Sequence, residues 1–105
     1  MSPELGRLLA LRRVHRGGIA QCGYGAFIDS GRRVPDYIGR YLATLLADGH
    51  IHPGHPHEGT GYLPLLLTSE GKAHYADLSA SYERWLRANR AGLRRGYTSA
   101  ATAGV

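Results

Sequence analysis

A single cysteine, Cys22, excludes an intramolecular disulfide and fits a reducing compartment. Lysine is as scarce: Lys72 stands alone, so the formal net charge of +5 rests almost wholly on arginine. No apolar run approaches the length of a membrane-spanning helix. The N-terminal stretch interrupts its short apolar patch with Arg7, Arg12 and Arg13, unlike the unbroken core of a signal peptide. These absences lead us to expect a soluble cytoplasmic chain with no membrane partner. Carboxylates are few as well. Glu4, Asp29, Asp36, Asp48, Glu58, Glu70, Asp77 and Glu83 show no spacing for a paired general acid and base. A nucleophile elbow, a phosphate-binding loop and an HExxH motif are all missing, so an enzyme is not expected, nor a cofactor.

What is present is a basic chain with a sequence pI near 9.8, a balance that favours polyanionic partners, nucleic acid above all. The stretch VPDYIGRYLATLLADGHI, residues 34–51, reads as a helix with both ends marked. Pro35 belongs in a first turn, and Asp36 sets a negative charge at the positive end of the dipole. Ile38, Leu42, Leu45 and Leu46 form one apolar stripe, and Gly49 stands where a C′ glycine stops a helix. The opposite face carries Asp36, Tyr37, Arg40, Tyr41 and Thr44, side chains suited to a polar groove.

Upstream, Ser2-Pro3-Glu4 opens a helix bearing Leu5, Leu8, Leu9 and the stem of Arg12 on one face, ended by Gly17-Gly18. Ile19–Cys22 reads as a brief strand or the start of the next element. Tyr24, Ala26, Phe27 and Ile28 are expected to form a short second helix, followed by a turn at Asp29-Ser30-Gly31. Downstream, His50–His52 and Tyr62–Thr68 read as strands around a loop rich in Pro, Gly and His, with Pro64 making the second an edge or bulged strand. Thr68 caps a last helix expected over 69–95. Its Tyr75, Leu78, Tyr82, Trp85 and Asn89 alternate spacings of three and four, with Leu86 and Leu93 widening the stripe, as in a dimer seam. Residues 96–105 lack periodicity and are expected to be a disordered tail, leaving 1–95 as the domain.

The segments YIGRYLATLLADGHI and YLPLLLTSEGKAHYADL, taken together, resemble the winged helix-turn-helix regulators of the MarR and PadR type in bacteria. The first matches a recognition helix ending Leu-x-x-Leu-x-x-Asp-Gly-x-Ile, and the second a strand ending Leu-Thr-x-x-Gly that leads into a helix. The resemblance implies a mainly α fold with a small β-wing (α+β), a three-helix core, a long C-terminal dimerisation helix and a homodimer on double-stranded DNA. One departure stands out: the segment between Arg16 and Arg33 is glycine-rich and gives no clean second helix.

On this reading the DNA-binding residues are Arg32, Arg33, Pro35, Tyr37, Gly39, Arg40 and Thr44. Arg40 is the expected guanine contact, Tyr37 a phosphate or thymine-methyl contact, and Arg32 and Arg33 phosphate contacts. Asp36 is unfavourable beside phosphate and serves the helix start. Dimer contacts fall to Tyr75, Leu78, Tyr82, Trp85, Leu86, Asn89 and Leu93. The expected function is transcriptional repression at the nucleoid. Two alternatives remain: a winged-helix assembly module, and a metal-responsive regulator using His50, His52, His55 and His57, whose imidazoles suit zinc, nickel or copper. No Arg or Lys occurs between Ile51 and Thr68, so wing contact with DNA would rest on histidine and backbone groups.

Overall fold

The computed structural model describes residues 2–23 and 25–103, with side chains described through residue 90. Over these described residues the chain is an α+β domain of three helices and one antiparallel five-stranded sheet. Helix α1 spans Pro3–Arg16. The Ser2 hydroxyl accepts from the Leu5 amide at 3.2 Å, Pro3 sits in the first turn, and Gly17 at φ 94° ends the helix. Its buried face is Leu8, Ala10, Leu11 and Val14, whereas Arg12 is exposed and does not extend that face as expected.

Helix α2, Asp36–Ala47, buries Ile38, Leu42 and Leu45 completely. Its end is closed by two bonds around Gly49, which has φ 77°. The His50 amide donates to the Leu45 carbonyl at 2.9 Å, and the Gly49 amide to Leu46 at 3.2 Å. This pairing satisfies the last free carbonyls and needs a left-handed residue at Gly49.

The strands are β1 (Ile19–Gln21), β2 (Phe27–Asp29), β3 (Arg32–Arg33), β4 (Ile51–Pro53) and β5 (Leu63–Leu67), in sheet order β3-β2-β1-β5-β4. Two expectations fail here. The short second helix is a strand hairpin: Phe27 and Ile28 lie in β2, paired with β1 through Ala20↔Ile28. Tyr24 falls outside the described residues. The glycines around it prevent a helix, and a tight turn forms instead, with the Gly25 amide on the Cys22 carbonyl and the Cys22 amide on that of Ala26. Ser30 at φ 52° and Gly31 at φ 86° then make a two-residue turn of the kind that matches strand twist.

The second failure concerns β5, which is interior rather than an edge, lying between β1 and β4. Pro64 is tolerated because its carbonyl accepts from Gly54 at 2.7 Å, just past the last residue of β4. Its missing donor therefore falls where the ladder has ended.

Helix α3 is described over Ser69–Ala103, past the end expected near Arg95, so Gly96 does not stop it. The backbone of most of the expected disordered tail is thus helical, and its side chains lie outside the described residues. The Thr68 hydroxyl accepts from the Gly71 amide at 3.0 Å and donates to the Gly49 carbonyl at 2.7 Å, tying the start of α3 to the end of α2. Among the described residues, the first turns of α3 meet the body through Gly71, His74, Tyr75 and Leu78. The rest projects, giving a radius of gyration of 18.3 Å and a long axis of 66 Å. A compact chain of this length has a radius of about 13 Å.

The hairpin is held to α1 by Asp29, whose carboxylate accepts from Arg13 at 3.0 Å and from Arg16 at 2.7 Å. Burial acts to raise its pKa, but the Arg16 hydrogen bond and charge, with Ser30 and Arg13, outweigh it and hold the carboxyl below its usual 3.8. A depressed carboxyl stabilises the fold above that value and loses its contribution as pH falls through the native pKa. Arg16 is 58% exposed, so water screens that bond. Asp29→Asn is expected to cost about 1–2 kcal/mol at neutral pH. Thermal melts at descending pH check this: the gap to the parent protein narrows below pH 3.8.

Candidate nucleic-acid interface

Helix α2 packs one side on α1 and β4 and leaves the other free. The free side carries Tyr37, which is 47% exposed, with Arg40, Ala43 and Thr44 also exposed. The Thr44 hydroxyl donates back to the Arg40 carbonyl at 3.1 Å, which leaves its oxygen able to accept. Tyr41 does not belong to this side, contrary to expectation. It is partly buried against the core, and its ring covers Gly6 of α1, where a Cβ would come within 2.1 Å. The geometry explains the difference: Tyr41 lies one turn after Tyr37 but rotated toward α1, and a glycine opposite makes room for a ring.

The β2–β3 hairpin stands beside the start of α2. Arg32 and Arg33 are both exposed on β3, which is an edge strand. Between the hairpin and α2 runs an open cleft of about 340 Å³. Arg33 from β3 and Arg40 from α2 both line it, with Phe27, Val34 and Asp36. Gly39 faces Val34 and Phe27 across ordinary contact distances of 3.7 and 3.8 Å for an added Cβ. Pro35 lines the cleft too. Of the seven residues the sequence offers for DNA, Arg33, Pro35, Gly39 and Arg40 meet in this cleft. Tyr37 and Thr44 lie on the adjoining strip of α2, and Arg32 on β3.

The hairpin's contribution, and with it Phe27 and the Asp29 clamp, was hidden by the expected second helix. Its signal was the Ser-Gly pair between Ile28-Asp29 and Arg32-Arg33, a hairpin turn between short strand-like runs.

The four histidines offered for metal are not gathered. His50 stacks on His74 with ring centroids 4.5 Å apart, while His52, His55 and His57 are exposed. Among the described residues no group of three or more His, Cys, Asp or Glu side chains comes together to hold an ion. Among the described residues, His50 Nδ1 and His74 Nε2 are buried with no hydrogen-bond partner. Burial lowers the His74 pKa, as do the nearby charges of His50 and Arg7, against weaker opposition from Asp77 and Asp48. The loop between β4 and β5 closes on its own backbone, with the His57 amide on the Tyr62 carbonyl and the Gly61 amide on that of His57, both at 2.8 Å.

Of the expected dimer residues, Tyr75 and Leu78 are partly taken by the chain's own core, and Tyr75 also meets the His15 ring at 5.0 Å. Tyr82 and Trp85 stack on each other at 5.8 Å, and Trp85 is 56% exposed. With Leu5, Leu8 and Leu78 they line a hollow of about 450 Å³ between α1 and α3. Leu86 is half-buried. The Asn89 amide donates to the Trp85 carbonyl at 2.8 Å, within its own helix. The side chain of Leu93 lies outside the described residues. Among the described residues no helix is long and apolar enough to cross a membrane. Compared with known proteins, the chain matches no family model, no curated protein and no solved structure.

Proposed function

We propose that this chain is a winged-helix protein that binds double-stranded DNA as a homodimer and acts as a transcriptional repressor in the bacterial cytoplasm. Helix α2 enters the major groove, and β4, β5 and their loop form the wing. Support for the fold reading comes from connectivity: a strand after α1 joins the β4–β5 hairpin in the order β1-β5-β4, with α2 leading into that hairpin. The β2–β3 hairpin occupies the stretch where the resemblance expects a helix.

The observation that carries the DNA reading is the free side of α2, where Tyr37, Arg40 and Thr44 stand clear of the chain's own core beside an arginine hairpin. A polar strip on a rod about 10–12 Å across, flanked by the arginines of the cleft, matches the major groove in width and charge. Dimerisation falls to the projecting part of α3, because Trp85 is left uncovered by the monomer. Repression follows from occupying a promoter.

Arg40→Ala is the test. DNA affinity is expected to drop about tenfold or more while the dimer, measured by sedimentation, persists. In the parent protein, affinity falls steeply between about 50 and 200 mM salt, as counterion release requires. A salt-independent response, or a parent protein that does not bind duplex DNA at all, favours an assembly module over a DNA reader.

A further inference from the structure

We propose that the cleft between the β2–β3 hairpin and α2 receives the sugar–phosphate backbone of one DNA strand, with Arg33 from β3 and Arg40 from α2 both contacting it. This rests on the DNA reading above and deepens it, because it assigns Arg40 to the backbone instead of a guanine. Shape decides between the two roles. A base edge lies on the floor of a groove and is reached by something that protrudes. A recess in a protein receives something that protrudes from the duplex, and the protruding ridge of a duplex is its backbone. Arg40 lines a recess of about 340 Å³, whereas Tyr37 and Thr44 lie outside it and remain free for the groove.

Charge and chemistry agree with shape. The recess carries two guanidiniums against one carboxylate, Asp36. Guanidinium forks fit phosphate oxygens two at a time. Beside the arginines the cleft is lined by apolar Phe27, Val34 and Ala43. That combination matches a strand on which each phosphate is flanked by the apolar faces of deoxyribose. Asp36 sits in the first turn of α2, where the helix dipole holds its charge, and it works against the phosphate.

The test uses the full chain with two duplexes, one of mixed sequence and one selected by the parent protein from random DNA, titrated by fluorescence anisotropy between about 50 and 200 mM salt. Arg33→Ala and Arg40→Ala are expected to weaken both duplexes alike, about tenfold each, and to lower the salt slope by about one. Ala43→Trp, which fills the recess without changing charge, is expected to weaken both duplexes similarly. Asp36→Asn is expected to tighten both. Matched thermal melts show that the variants are folded.

The inference is overturned if Arg40→Ala relaxes preference at one base pair while leaving mixed-sequence binding and the salt slope intact. It is overturned equally if Ala43→Trp binds like the parent. In either case the parent still binds duplex, so the DNA reading survives. A parent protein that binds neither duplex sinks both.

Discussion

Gly71→Ala is expected to destabilise the protein by about 3 kcal/mol or more, although alanine is the better helix former by about 1 kcal/mol. Gly71 lies in the first turn of α3, buried, with the His50 carbonyl oxygen where a Cβ would stand, only 1.8 Å away. The obstacle is backbone, so no rotamer change relieves it. The His50 carbonyl is itself held by the Thr68 amide at 3.0 Å, and Thr68 caps the same helix. Moving α3 away to admit a methyl group therefore breaks either the cap or the bonds from Thr68 to His50 and Gly49, and unseats Tyr75 and Leu78. A chain of this size has about 5–15 kcal/mol of stability in total, so the loss is a large part of it. Denaturant unfolding checks the value, with the exposed Ser69→Ala as a control in the same turn. A variant as stable as the parent would mean that α3 does not approach the end of α2 so closely.

Gly6→Ala is expected to cost about 1–2 kcal/mol net: overpacking costs about 1–3 kcal/mol, offset in part by helix propensity. Here the obstacle is a side chain. The added Cβ would come within 2.1 Å of the Tyr41 ring. The ring has few rotamers and is packed against the core, so it swings out and uncovers the α1–α2 contact. Tyr41→Leu should relieve the collision. The double variant is expected to be more stable than Gly6→Ala alone, and a double-mutant cycle measures the coupling directly. A coupling near zero would place Tyr41 elsewhere. The pair has a functional consequence: Tyr41 fixes the rotation of α2 on α1, and so the direction in which Tyr37 and Arg40 point.

Elements whose residues carry local instructions were legible in the sequence. Pro35 and Gly49 bound α2, and the Leu-Thr-x-x-Gly run marked the start of α3. The structure gives that run its physical meaning, with a threonine that caps and a glycine that lets a carbonyl approach. The region from Cys22 to Arg33 was not legible as a hairpin because its strands are two or three residues long, too short for an alternating pattern to declare itself. The positions of Tyr41 and Pro64 were hidden for another reason. Each depends on what lies across from it, Gly6 in one case and the end of β4 in the other, and a partner distant in sequence leaves no local trace. The residues proposed to meet DNA were named one by one in the sequence. Their division between recess and strip required the hairpin to be in place.

The two outer rims of the sheet share a property that bears on crowding. One rim is a two-residue strand made only of arginines; the other is three residues long and closes with Pro53. Neither offers a flat, apolar length of unpaired backbone on which a foreign strand could lengthen the sheet. Copies of this chain that collide at high concentration therefore repel or slide past one another at those rims. On the proposed dimer reading, association falls to the surface of the projecting helix, and these rims discourage fibre growth through the sheet.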